Sequence, residues 1–290
     1  MRNAQGLYTQ VFDRRRLALP LLFPSIGGLY YLFAFDAPAR LIAINAGALA
    51  LALAWIMLGR LPTDRKVRLG IAAVAALALF LPLLIGPEVG GVRRWLPAGP
   101  VSLHSGALLL PLITVLAARE ERLGPAIMAL AGAALALQPD AAALAALATA
   151  SAVLAWLHRS IAFAAVAAAS AALAIITFGA GTLEPQLFTE SVLPHVAERS
   201  LFKTACLAIL LFVVPLWHLV IDPQTQRGEG FALAALLVAF GAMAVIAPFP
   251  YPLIGYGASP ILGFGLALGA AARREHLKVG ECVEPIDRTH

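Results

Sequence analysis

Long apolar runs divided by short polar or charged breaks make up most of the chain from Leu17 onward. They occupy approximately 17–35, 41–58, 69–86, 102–118, 124–138, 140–157, 161–178, 203–221, 231–248 and 254–272. An apolar helix needs about 20 residues to cross a bilayer. The pattern therefore predicts an all-α, polytopic integral membrane protein with about ten transmembrane helices. Only Gln138-Pro139-Asp140 divides the fifth run from the sixth. That break reads either as a tight external turn or as a kink in a buried segment. No fixed-period repeat and no second domain is visible. The division is a cytoplasmic N-terminus at 1–16, a single transmembrane domain at 17–272 and a cytoplasmic tail at 273–290.

Composition decides the solvent. The residues are 61% hydrophobic and 13% charged, against about 45–50% and about 25% in soluble domains, so lipid must face much of the surface. The basic groups orient the chain. With Arg14-Arg15-Arg16 inside, strict alternation puts "GRLPTDRKVR", "AAREERLG", "LHRS", "DPQTQRGEG" and the "ARREHLK" tail inside as well, which satisfies the positive-inside rule with both termini cytoplasmic. The apolar run from Leu17 exceeds the core of a cleaved signal and reads as a retained first span. The net charge of +5 is spread among these loops, which argues for topology and against nucleic acid. Cys206 and Cys282 fall at different levels and predict no disulfide framework. The histidines show no metal-ligand spacing, and no cofactor is indicated.

The loop "GPEVGGVRRWLPAGP" breaks the charge pattern by carrying Arg93 and Arg94 outside. An arginine fork suits phosphate or carboxylate, and Trp95 suits the headgroup level. The loop therefore reads as a contact for an anionic headgroup or diphosphate, or as an interfacial anchor on ordinary lipid phosphates. Asp140 beside Pro139 has the form of a helix cap. Glu88, Glu184, Glu190 and Glu198 read as solvated loop residues. No carboxylate sits deep in an apolar run, which counts against an ion-coupled transporter.

Three stretches carry a family resemblance. "GGVRRWLPAGPVSL" resembles the "NGARRW…GP…" signature of the FtsW/RodA/SpoVE proteins, the SEDS family of bacterial cell-wall proteins. "LQPDAAALAAL" is similar to that family's "LQPDLGTA", and "YPLIGYGASPILGFGLALG" to its "LPFVSYGGSSLL". The resemblance implies a ten-span inner-membrane protein of peptidoglycan biogenesis, in cell division or cell shape. Its implied partners are lipid II or a related undecaprenyl-linked precursor, a class B penicillin-binding protein and membrane lipids. Carried over residue by residue, it implies substrate-binding roles for Arg93, Arg94, Trp95, Gln138, Asp140, Tyr256 and Ser259, with Gly257 in the late signature and Ala258 replacing a glycine.

The departures concern chemistry. Where the family has "FQPSE" and then a lysine, this chain has His104 at the glutamine, Ala107 at the glutamate and Leu110 at the lysine. The family's late outer-loop aspartate aligns with Arg199 in "LPHVAERSLF", or with Glu198 after a one-residue slip. Glycosyl transfer needs a proton acceptor and stabilisation of the leaving diphosphate. The resemblance with these losses implies a degenerate polymerase site on a fold kept for binding. The alternatives are an active lipid II glycosyltransferase using Glu198 or Asp140 as base, and a lipid flippase or transporter.

Overall fold

Each apolar run of the sequence is helical over most of its length among the described residues. The computed structural model describes residues 2–99, 101–180, 186–221 and 225–271. The C-terminal tail with Arg273 and Arg274, together with Cys282, Glu184 and Pro100, lies outside the described residues. In order come α1 (Arg2–Ala34), α2 (Ala39–Leu58), α3 (Arg65–Ala78), α4 (Leu81–Ile85), α5 (Ser105–Ala117), α6 (Gly124–Leu137), α7 (Ala141–His158) and α8 (Ile161–Thr177). A short α9 (Val192–Arg199) and α10 (Leu201–Ala208) follow. α10 continues as a π-helical stretch (Ile209–Val213), α11 (Val214–Leu216) and a second π-helical stretch to Ile221. The last two helices are α12 (Arg227–Ile246) and α13 (Ala258–Ala270). Among the described residues six helical segments are long and apolar enough to cross a membrane, and four apolar helices are shorter.

Local chemistry sets many of the boundaries. Asp64 caps α3 by accepting the Lys66 N–H (2.7 Å), and Ser200 caps α10 by accepting that of Lys203 (3.3 Å). Pro215 supplies no backbone N–H, and the helix around it widens to π geometry on both sides. The break at Gln138-Pro139-Asp140 is a turn between two separate helices, which resolves the choice left open by the sequence. One segment departs from all-helical expectation. The arginine loop runs into a hairpin, β1 (Trp95–Ala98) against β2 (Val101–His104), antiparallel with Trp95 opposite His104. Gly99 at its turn has φ of 61°, a value that favours glycine.

Close helix approach positions the ends. α7 packs between α8 and α12, while α13 packs on α2 and α5. A Cβ on Gly263 would strike the Ala107 carbonyl, and one on Gly269 would strike the Trp55 ring. Small residues at such crossings are what helix association in lipid requires, because packing replaces hydrophobic drive there. The breaks sort to two ends, as the charge alternation requires. At one end meet Arg14 with the Gly59 carbonyl, Arg65 with Glu120, and His158 with Glu121. At the other meet the hairpin, the 138–140 turn, the 186–191 segment and the 247–257 loop.

Candidate functional site

The hairpin end encloses a cavity of about 560 Å³. Its polar lining comes from Arg94, Ser102, His104, Asp140, Glu190 and Ser259, and Phe178, Phe249 and several prolines form apolar walls. Trp95, Tyr251 and Tyr256 add amphipathic rings. The size and the mixture are those of a ligand site rather than a packing defect.

Arg94 is buried, and its guanidinium ties three segments together. Nε donates to the Gln138 carbonyl (3.1 Å), and Nη2 donates to those of Pro139 and Ala180 (2.8 Å to Ala180). All three partners are neutral. No acid among the described residues forms an ion pair with Arg94, which lines the cavity together with Asp140. Arg93 turns away from the cavity to the exposed Glu88 (3.2 Å).

His104 and Asp140 form the buried polar centre. The imidazole Nδ1 accepts the Ala107 N–H (3.2 Å) and so caps α5, which leaves the proton on Nε2. Nε2 faces Asp140 Oδ2 at 3.4 Å. Asp140 Oδ1 accepts the Ala143 N–H (3.1 Å), the capping role read from the sequence. A Cβ on Gly106 would lie 2.8 Å from Asp140 Oδ2, so glycine leaves room for the carboxylate beside α5. The His104 N–H donates to Ser259 Oγ (2.7 Å), joining the hairpin to the start of α13. Trp95 meets the imidazole edge-to-face with ring centroids 5.9 Å apart.

Burial lowers the pKa of His104, Asp140 pulls it up, and Arg94 pushes it down further; the net direction is down. The folded chain therefore binds fewer protons here than an unfolded histidine, whose pKa is about 6.5. Its contribution to stability is complete above about pH 6.5 and drains as pH falls toward the lower folded value. Melting temperature should fall more steeply from pH 7.5 to 5.5 in wild type than in His104→Gln, since glutamine keeps an acceptor without the titration. Parallel slopes would remove His104 from the account.

The positions predicted from sequence divide clearly. Arg94, Trp95, Asp140, Tyr256 and Ser259 line the cavity. Gln138 does not line it. Its side chain is fully buried, accepts from Ser105 Oγ (2.9 Å) and donates to the Leu79 carbonyl. Glu198 is exposed on α9 and takes no part in the lining, and Arg199 lies over the Phe35 ring at 4.7 Å. Ala107 lines the cavity, whereas Leu110 is in the core.

Glu190 corrects the expectation of a solvated loop acid. It is half-buried in the cavity lining, and its Oε2 accepts the Gln186 N–H (2.8 Å). Burial pushes its carboxyl up from the usual glutamate value. Two backbone bonds seat its segment: Tyr251 N–H to the Thr189 carbonyl (3.0 Å) and Tyr256 N–H to that of Phe188 (2.6 Å). Both join residues more than 60 positions apart, so no local pattern pointed to Glu190. His104 was legible only as a departure from the motif.

No protein-family model matches the sequence, and no curated protein matches it. Solved structures do. The rod shape determining protein RodA of Thermus thermophilus superposes with a TM-score of 0.58 at 21% identity, over 91% of this chain and 95% of that one. An aspartate-to-alanine variant of the same protein gives 0.59 at 22%, over the same shares. A chain from a structure described as a peptidoglycan synthase complex coordinating polymerization and crosslinking gives 0.57 at 20%, over 86% of this chain and 95% of that chain. The three motifs that resemble the SEDS family thus sit on a fold shared with RodA across nearly the whole chain, and this is a multi-pass membrane protein of the RodA fold.

Proposed function

We propose that this chain is a SEDS-type protein of the bacterial inner membrane that binds a lipid-linked saccharide diphosphate of the lipid II class. It serves peptidoglycan biogenesis beside a class B penicillin-binding protein. The observation that carries the reading is the cavity. Its lining combines apolar rings and prolines, as a prenyl chain requires, with the charge of Arg94 and with hydroxyl, imidazole and carboxylate groups suited to diphosphate and sugar. The likeness of fold to RodA and to the synthase-complex chain supports the same role. The family's glutamate and lysine positions are vacated at Ala107 and Leu110. The site is therefore degenerate at those positions, and any catalysis has to come from other groups.

The test is retention of labelled lipid II by the purified protein in nanodiscs, compared with a version whose cavity is filled by Ala107→Trp. Wild type should bind saturably, and the filled version should lose at least ~10-fold in affinity, or about 1.4 kcal/mol. Equal binding by the two proteins would overturn the reading.

A further inference from the structure

α2 carries one amide side chain, Asn45, about two turns into the helix. It is 1% exposed and lies behind the loop that lines one side of the cavity, without lining the cavity itself. Both ends of its carboxamide are used on one short stretch of backbone. Nδ2 donates to the Gly255 carbonyl (3.1 Å), and Oδ1 accepts the Gly257 N–H (3.1 Å). An amide between a carbonyl and an N–H satisfies both in one orientation only, so its partners fix the side chain. Those two groups belong to the peptide planes on either side of Tyr256. Each plane is rigid, so holding an atom of both restricts φ and ψ of Tyr256 together, and with them the direction of its side chain. The opposite edge of the stretch is held by the 186–191 segment. There the Phe188 carbonyl accepts the Tyr256 N–H (2.6 Å), and a Cβ on Gly255 would lie 2.9 Å from the Thr189 carbonyl oxygen. The half-buried Tyr256 ring is thereby set into the cavity lining from a backbone clamped on both edges.

We propose that Asn45 is a positioning residue of this site, a side chain of the membrane span that sets where the Tyr256 ring meets the ligand. This role rests on the reading of the cavity as a site for a lipid-linked saccharide diphosphate, with Tyr256 among the groups that touch it. The pairing of α2 with α13 does not depend on Asn45. Further along the pair a Cβ on Gly265 would strike Ala52 and one on Gly269 would strike the Trp55 ring, and Trp55 Nε1 donates to the Leu266 carbonyl (3.2 Å). Removing the amide therefore leaves the helices packed and frees the backbone only where the loop enters α13. An apolar side chain at this position would strand the Gly255 carbonyl and the Gly257 N–H without partners, and buried backbone groups do not stay unpaired at low cost. The stretch would shift to find other partners, and the ring would move with it. A ring spread over several orientations has to be ordered again when ligand binds, and that ordering lowers affinity.

The experiment uses the full-length protein in nanodiscs, with fluorotyrosine at position 256 as an NMR reporter and retention of labelled lipid II measured in parallel. Asn45→Leu should shift or split the fluorine resonance of the ligand-free protein and lower lipid II affinity ~10-fold. In a Tyr256→Ala background the same change should cost less than about threefold, because the amide acts through that ring. Trp55→Phe, which breaks the α2–α13 hydrogen bond further along the pair, should leave the resonance in place and affinity within about threefold of wild type. Asn45→Asp should match wild type at about pH 5, where a protonated carboxyl offers the same donor and acceptor, and bind ~10-fold more weakly than wild type at about pH 9, where the donor is gone. Should Asn45→Leu fail to fold, this pH series decides, and a ratio to wild type that stays constant with pH would overturn the proposal. An unmoved resonance in Asn45→Leu would overturn it too, as would an affinity loss of equal size with and without Tyr256, or one matched by Trp55→Phe. In those cases wild-type retention of lipid II would leave the reading of the cavity standing. A wild type that retains no lipid II would overturn both.

Discussion

Replacing Glu229 with alanine is expected to cost the fold about 3–5 kcal/mol, because it takes the acid from a largely buried arginine. Arg119 Nε lies 2.6 Å from Glu229 Oε1, with the side chains 14% and 1% exposed. The same guanidinium donates through Nη2 to the Ala270 carbonyl (2.7 Å). One side chain in the α5–α6 connection thereby holds the first turn of α12 and the last residue of α13. Glu229 also sits in the first turn of α12, where the helix dipole favours a negative charge. Arg119→Ala should cost a similar amount, since it removes the cation 2.6 Å from a buried carboxylate. The double replacement Arg119→Met with Glu229→Leu should recover most of the loss, because removing both charges removes the desolvation cost of each. Unfolding measured in detergent micelles checks all three. A single replacement costing under about 1 kcal/mol would show that water reaches the pair.

The second large effect is expected at Arg94. Truncation to alanine leaves three carbonyls, of Gln138, Pro139 and Ala180, without their donor. Hydrogen bonds to a charged group are worth about 1.5–3 kcal/mol each, and the bonds share one side chain, so a total of about 3–5 kcal/mol is expected. Arg94→Lys should recover little, since an ammonium cannot reproduce the planar fork. Arg93→Ala should change stability by no more than about 0.5 kcal/mol, because its ion pair with Glu88 is solvent-exposed. Thermal unfolding of the three proteins gives the comparison. If Arg94→Ala lost lipid II retention while keeping wild-type stability, the residue would be a ligand contact rather than a staple between segments.

These contacts recast the adjacent arginines that stood out in the sequence. An Arg-Arg-Trp loop on the outer side pointed to an anion or to lipid phosphates, and the pair read alike. The structure separates them through the hairpin, which turns Arg94 inward to the 138–140 turn and leaves Arg93 at the surface. The same turn divides the "LQPD" motif. Gln138 is spent on holding α5 and α3 together through Ser105 and the Leu79 carbonyl, while Asp140 reaches the cavity edge. Neighbours in a motif thus serve different ends, because successive residues in a turn leave the backbone in different directions.

The sequence by itself determined where the helices run, that their connections sort to two ends, and that Asp140 caps a helix. Those properties are local. A run of apolar residues of bilayer length forms helix wherever it sits in lipid, and its breaks must fall at one end of the bundle or the other. The tertiary structure alone decided which carboxylate faces the cavity. Glu190 and Glu198 lie eight residues apart in one connecting segment and look alike along the chain. The difference between them is burial, which comes from docking the 186–191 segment against the 247–257 loop, where the Tyr251 and Tyr256 N–H groups donate to the Thr189 and Phe188 carbonyls. Desolvation of a loop acid depends on what the rest of the chain brings over it, and no local pattern encodes that.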